Sequence, residues 1–400
     1  MNKIVPILLI LFIVKNIYAQ FPHKNFEIVE SIPIESNLEN PEIRNTEEVW
    51  LEMINSAKST IDIEQFYIAN DVNEPLENII QALENKASTG VNIRIIAEKK
   101  MEKTYPNTIK RLNDKNNIEV RILSAFEKIH GINHSKYFIV DRERVFIGSQ
   151  NFDWKALKHI HEIGFNIKNK NFAESITNIF EMNWQQAKSG NLSETIKHGK
   201  KTKYNVKIDD EIIEFFPTAS PYQNMPDEFY ADELAIIESI KSAKSSVKIQ
   251  LLSYSPASYG EYYGGLDNAI RDAALRKVKV EILLSDWCSH DYEIPYLKSL
   301  QILPNIDVKL STIPEYSGGY VSFGRVEHCK MMVIDNNITW IGTSNWKKNY
   351  FYNSRNLGLV VKSKTINKKL TTIFDKSWNS EYANLIDINK KYIPKEYGEK

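Results

Sequence analysis

His134-Ser135-Lys136, four further residues, Asp141, six more, then Gly148-Ser149-Gln150-Asn151: the same pattern returns as His328-Cys329-Lys330, Asp335 and Gly342-Thr343-Ser344-Asn345. The offset is 194 at His, Lys, Asp, Gly and Asn alike, and it persists at Gly164/Gly358, Phe180/Phe374 and Trp184/Trp378. A block of about fifty residues kept twice without net insertion reads as an internal duplication.

The flanks repeat as well. Apolar residues at helical spacing over Glu47–Lys58 lead through Ser59-Thr60 into an alternating strand from Ile61 to Phe66. Glu233–Lys244 and Val247–Leu252 restate the unit, down to the connecting words Ser56-Ala57-Lys58-Ser59-Thr60 and Ser242-Ala243-Lys244-Ser245-Ser246. A helix over Leu76–Ser88 and strands over Val91–Ala97 and Asn117–Ile122 answer Leu266–Arg276, Val278–Ser285 and Asn305–Leu310. Helices alternating with strands predict an α/β fold of two lobes, each a mixed, mostly parallel sheet covered on both faces. The divisions expected are a signal peptide (1–19), a leader arm (20–45), a first lobe (46–195), a polar basic connector (196–214), a second lobe (215–385) and a mobile polar tail (386–400).

Lys plus Arg and Asp plus Glu each number 51, so no global field draws the chain to nucleic acid or anionic membrane, and an anionic substrate needs a local site. Met1-Asn2-Lys3, the eleven apolar residues Ile4–Val14 and Ala19 before Gln20 resemble a cleavable secretory signal. The run is shorter than the roughly 20 residues a spanning helix needs, and an uncleaved anchor is the second reading. Localisation then reads as secreted, periplasmic or endolysosomal. Cys288 and Cys329 are expected to be two separate free thiols. Of the sequons at Asn133, Asn191 and Asn337, only Asn191 has room for a glycan, because Asn133 adjoins the His motif.

Residues i and i+2 share a strand face, so His134 projects with Lys136 and His328 with Lys330. Asp141 and Asp335 fall on the opposite face, where bracing is the expected role. The Gly after the second strand is expected to open a helix, gathering Ser149, Asn151, Thr343 and Asn345 at an anion-binding N-terminus. Breaking a phosphodiester needs a nucleophile, a proton for the leaving oxygen, and positive charge about the phosphoryl group. One copy offers a single imidazole, ammonium and amide; two facing copies supply the full set. A lone His-x-Lys is a surface accident, but packing has no need of the pair twice with Gly-Ser/Thr-x-Asn at the same distance.

These paired motifs resemble the HKD motifs of the phospholipase D superfamily. Ile147–Trp154 and Ile341–Phe351 are similar to the branch holding the endolysosomal phospholipase D-like 5′ exonucleases and related poxvirus proteins, over roughly residues 45–385. The resemblance implies tandem α-β-α sandwich lobes related by a pseudo-twofold axis, no cofactor and no metal. It implies a catalytic set of His134, Lys136, Asp141, His328, Lys330 and Asp335, with a phosphohistidine intermediate. Lys136, Lys330, Asn151 and Asn345 would hold the phosphoryl oxygens, supported by Ser149 and Thr343. Glu162 sits where the family places a carboxylate that orients the motif His; its counterpart is Asn356. A carboxylate raises an imidazole's basicity, so His134 is expected to be the nucleophile and His328 the acid.

Among the other histidines, His130/His134 and His159/His161 have metal-like spacings, but no Cys or carboxylate cluster completes a site in the sequence. His159 and His161 are expected to line one side of the helix after Trp154. Tyr and Trp crowd the second half, and the insertion at 254–265 is the expected substrate-facing lip, with Trp287, Trp346 and Phe351 ordinary core. The expected partner is single-stranded nucleic acid or phospholipid, the latter with peripheral membrane contact, and no obligate protein partner. The three readings are a 5′ exonuclease, a phospholipase D or phosphatidyl transferase, and a non-catalytic membrane-associated protein on the same scaffold.

Overall fold

The computed structural model describes residues 25–192, 200–258 and 260–398; the expected signal peptide lies outside them. The chain folds into two α/β lobes, each built on one large sheet. In the first, Thr60–Gln65 runs parallel to Asn92–Glu98, which runs parallel to Ile118–Leu123. On its other side it pairs antiparallel with the motif strand Lys136–Val140, followed by Arg144–Gly148, Glu162–Lys168 and Phe26–Ser31. The second lobe repeats the order with Ser246–Leu251, Lys279–Ser285 and Ile306–Ser311 parallel, and Met331–Ile334, Ile338–Gly342 and Asn356–Lys362 antiparallel. Antiparallel pairings therefore outnumber parallel ones, against the mostly parallel expectation. The reason is local: each motif strand turns at its Asp directly into the next strand, and a tight turn can only return the chain antiparallel.

Apolar periodicity decides the packing. Helix Thr46–Ser56 is capped by Asn45, whose side chain accepts from the Glu47 amide, and it buries Val49, Trp50, Met53 and Ile54. Trp50 meets Phe146 edge-on at 5.2 Å, in the preferred T-shaped geometry. Helices Leu76–Ser88 and Asp232–Ser242 close the outer faces. The inner faces of both sheets, with helices Lys170–Ser189 and Lys364–Trp378, merge into one core running from Phe165 and Tyr137 to Met331 and Leu359. Sharing a core fixes the lobes against each other.

Three expected divisions are corrected. The leader arm contains the strand Phe26–Ser31, paired along Glu162–Lys168. The connector's described part enters Tyr204–Ile208 and Glu211–Ser220, two strands of the second sheet. The tail is not free: Tyr397 is buried and stacks on Trp287 with centroids 5.0 Å apart. In each case polar residues are interspersed with apolar ones on strands at or next to a sheet edge, or a single aromatic anchors the segment, so composition alone reads as linker. No helix among the described residues is long and apolar enough to cross a membrane.

Candidate active site

A cavity of about 330 Å³ opens where the carboxyl ends of the parallel strands of both lobes meet. His134, Asn151, His328 and Asn345 all line it, two from each motif copy, with Phe66, Tyr67, Tyr105, Trp287, Phe323, Lys347 and Tyr350 among the walls. The two imidazoles thus share one chamber, as the duplication requires.

Each ring is held from the opposite lobe. His328 Nδ1 lies 2.8 Å from Glu162 Oε2, and His134 Nδ1 lies 3.2 Å from Asn356 Oδ1. The Asn356 oxygen can only accept, so His134 donates from Nδ1 and turns Nε2 outward. Thr343 Oγ1 donates to the same Asn356 oxygen at 3.0 Å and accepts from the Leu357 amide at 3.2 Å. Ser149 plays the matching part, accepting from the Ile163 amide at 3.0 Å. Ser149 and Thr343 thus brace the strands carrying Glu162 and Asn356 and do not line the cavity.

No helix starts directly at either Gly. Gly148 faces Gly164 and Gly342 faces Gly358 across adjacent strands. A Cβ on Gly148 would lie 2.7 Å from the Gly164 Cα, so the close approach of two backbones explains the first glycine, while a Cβ on Gly342 would meet the Trp340 ring at 2.6 Å. The helices that follow, Trp154–Lys158 and Lys348–Tyr352, are single turns beginning beyond Asn151 and Asn345. The two amides therefore reach the cavity as side chains. Asn151 Oδ1 and Asn345 Oδ1 are buried without a hydrogen-bond partner among the described residues.

Lys136 and Lys330 lie beneath the rings, fully buried, each donating to the carbonyl of its own motif His at 2.8 Å. Burial, then the neighbouring Lys330, holds the Lys136 ammonium well below the usual lysine range. Burial brings Lys330 down to about 7, against the pull of Glu162. Both imidazoles are lowered as well, by burial first and then by the two lysines. Burial pushes Glu162 up to about 8, with Lys330 opposing. Burial thus disfavours the charged forms of both motif lysines and both imidazoles, a cost that an anionic substrate beside them would offset, while Glu293 holds Lys347 above the usual lysine range.

Asp141 and Asp335 stand apart. Asp141 accepts from the amides of Lys58, Ser59 and Thr60 at 2.8–2.9 Å and from the Ser59 hydroxyl. Asp335 does the same with Lys244, Ser245 and Ser246. Neither lines the cavity, so their place in the catalytic set is corrected to a brace. The repeated words Lys58-Ser59-Thr60 and Lys244-Ser245-Ser246 are their donors.

Other expectations change too. Glu162 orients His328 and not the His of its own copy. Trp287 lines the cavity instead of the core, while Trp346 and Phe351 are buried. The 254–265 insertion forms a small hairpin away from the chamber, which is reached by Leu252 and Ser253 just before it. The first lobe contributes aromatics too: Phe66 and Tyr67 follow directly on a strand end, where α/β sheets bind ligands. Tyr67 stacks with Tyr105 at 5.0 Å. His159 does sit against Trp154, but His161 turns into the lobe interface, with Glu327 and Cys329 close by. The cysteines are free and buried. Asn133 is buried and Asn191 exposed.

Comparison with known proteins accords with this geometry. The family described as cardiolipin synthase, PLD-like domain, matches residues 50–184 and 236–378. The chain is 31% identical over 384 residues to the Dictyostelium discoideum protein named phospholipase D Z, covering 90% of both chains. It is 31% identical over 400 residues to the Xenopus laevis protein named 5′-3′ exonuclease PLD3, covering 90% of this chain and 80% of that one. A phosphatidylserine synthase from Haemophilus influenzae shares the fold with a TM-score of 0.61 at 13% identity, over 85% of each chain. The paired lobes, the duplicated motif and these matches together place the chain in the phospholipase D superfamily, as a two-lobed phosphodiesterase.

Proposed function

We propose that the protein is an exported 5′ exonuclease on single-stranded nucleic acid, cutting through a phosphohistidine on His328. The observation that carries the chemistry is the sharing of one chamber by two imidazoles with unlike partners. Attack from Nε2 of His328 forms an N–P bond and breaks the P–O bond, leaving the ring positively charged. Glu162 sits at the other nitrogen, where that charge is balanced; Asn356 offers His134 only a neutral amide. The preference for His134 as nucleophile is thereby reversed on its own reasoning. With the anionic substrate bound, His134 is an imidazolium, protonated on both nitrogens; it gives the Nε2 proton to the leaving oxygen, and the neutral ring then takes one from the water that breaks the N–P bond. Lys136, Lys330, Asn151 and Asn345 surround the phosphoryl oxygens.

Substituting Glu162→Gln keeps the shape and removes the carboxyl whose ionised form balances the charged ring. It is expected to lower kcat about a hundredfold with little change in KM. In rapid-quench experiments, label should appear on the peptide bearing His328; label on His134 instead would reverse the assignment.

The substrate reading is supported by paired flat rings on both walls, Tyr67/Tyr105 and Trp287/Phe323, each pair near-parallel. Stacking on such rings contributes about 1–3 kcal/mol per base whatever the sequence. The relative named a 5′-3′ exonuclease supports the same class, and the apolar run at Ile4–Val14 supports export. The second reading, a phospholipase D, rests on the equally similar relative of that name. Purified protein is given 5′-labelled and 3′-labelled single-stranded oligonucleotides and, separately, phosphatidylcholine vesicles. Nucleotide release from the 5′ end without choline release is expected; choline release alone would overturn the proposal in favour of the second reading.

A further inference from the structure

The lobes are stitched by two short parallel bridges, His161 with Glu327 and Asn133 with Arg355. The 194-residue offset carries Asn133 onto Glu327 and His161 onto Arg355, so each bridge is the pseudo-symmetric image of the other. At the first, the His161 amide donates to Val326 O at 3.1 Å and the His328 amide to His161 O at 2.9 Å. At the second, the Arg355 amide donates to Ile132 O at 2.9 Å and the His134 amide to Arg355 O at 2.8 Å. Successive side chains of an extended chain point to opposite sides. The next residues along, Glu162 with His328 and Asn356 with His134, therefore meet at the cavity, and the bridge residues themselves face into the interface.

The interface sides differ. Arg355 is fully buried and donates to Asn183, Ser220 O and Asn224, a cation at neutral pH. His161 occupies the corresponding place with no exposure, its Nδ1 2.7 Å from Glu327 Oε2 and its Nε2 2.8 Å from Glu30 Oε1. Each carboxylate has a further donor: Asn40 Nδ2 on Glu30 at 3.0 Å, and Gln250 Nε2 on Glu327 at 2.8 Å. Both ring nitrogens face carboxyl oxygens, so with Glu30 and Glu327 ionised each nitrogen carries a proton to donate.

We infer that His161 is a positioning residue of the site proposed above: as an imidazolium clamped between Glu30 and Glu327, it locks the bridge that sets His328 against Glu162. The inference rests on the catalytic reading of His328. The groups facing the ring are Glu30 from the strand Phe26–Ser31, Glu327 and Cys329 from the second motif, Gln250 from the strand Ser246–Leu251, and Ser377 from the helix Lys364–Trp378. Burial opposes the charge, and Cys329, Glu327 and Glu30 outweigh it, holding His161 well above the ordinary histidine range. The Cys329 thiol is itself pushed up to about 11 by burial, so at neutral pH the two carboxylates do the holding. A raised folded value means that this clamp is intact below the unfolded histidine range and fails as pH rises through the folded value. Burial brings Arg355 down to about 10, so the second bridge keeps its cation through neutral pH.

The test uses the full chain and three substitutions, His161→Gln, His161→Lys and Glu327→Gln. First, the ring Cε1–H resonance that disappears in His161→Gln is followed in the wild type by NMR from pH 5 to 9. It is expected to keep the imidazolium shift through pH 8, and Glu327→Gln should move its titration toward acid; titration near the ordinary histidine value would overturn the inference. This measurement needs no substrate, so it stands whether or not the proposed function does. If His161→Gln does not fold, Glu327→Gln identifies the resonance by the same shift. Second, kcat and KM on bis-p-nitrophenyl phosphate are measured at neutral pH. His161→Gln is expected to lose about tenfold in kcat with KM within about twofold, as a slightly misplaced ring does, and His161→Lys to recover most of it. Equal activity in wild type and His161→Gln, or Lys no better than Gln, would overturn the positioning role.

Discussion

Alanine at His328 lowers phosphodiester hydrolysis by at least about a thousandfold, the scale of losing a nucleophile or its proton partner. Alanine at His134 does nearly the same, and the double variant falls little further, because groups serving one reaction act as a unit. The two single variants differ in kind. With His328→Ala, no phosphorylated enzyme forms on any substrate. With His134→Ala, a substrate whose leaving group needs no proton, such as p-nitrophenolate, should still phosphorylate His328. A burst of nitrophenolate from His134→Ala and none from His328→Ala is the result to look for. The reverse pattern would exchange the roles of the two rings. Each buried ring has one side-chain hydrogen-bond partner in the other lobe, and His134 also meets Tyr350 edge-on at 5.0 Å, so their loss should leave the melting midpoint within a few degrees of wild type.

The second large effect is on stability. Asp335→Ala removes the acceptor of three amides and a hydroxyl at the turn of the second lobe. It also places Ala at a φ of +48°, where Asp and Asn are tolerated and Ala is strained. The combined cost is about 2–4 kcal/mol, or roughly 5–10 °C in melting midpoint for a lobe of this size. Asp335→Asn, which keeps the backbone geometry and part of the accepting capacity, should recover about half. Asp141→Ala is its mirror in the first lobe, with φ +52°. The pH dependence follows. Burial works to raise both carboxyls, but the amide donors prevail and each ends below the usual aspartate range. A lowered folded value gives stability that is present above the unfolded aspartate range and is lost as pH falls through the folded one. At low pH the difference between wild type and Asp335→Ala should shrink as the carboxylate is protonated, leaving only the share due to Ala at the strained φ. Persistence of the full difference there would show that the contribution is not carried by the ionised carboxylate.

The two aspartates show how the sequence and the fold divide the explanation. Both were recognisable as bracing residues from strand alternation alone. Their donors stand in the sequence as well, in the matching words Lys58-Ser59-Thr60 and Lys244-Ser245-Ser246, yet nothing local links residues 82 and 90 positions apart. The expected helix at Gly148 failed because a Gly in a motif is equally well explained by two strands in close approach, and only the partner Gly164 decides between them. The substrate lip was misplaced for a similar reason. An insertion rich in Gly and Tyr reads as exposed, but exposure is not proximity to the site, and none of its described residues lines the chamber.

By itself, the sequence determined the duplication, the two α/β lobes and the identity of both histidines, because strand and helix periods are local and the 194-residue offset repeats them without error. Tertiary structure alone decided which group stands behind which ring. Glu162 and Asn356 each serve the His of the other copy, across separations of 166 and 222 residues. The lobes meet face to face about a pseudo-twofold, and such a meeting exchanges partners between copies. No periodicity within one copy can report that exchange.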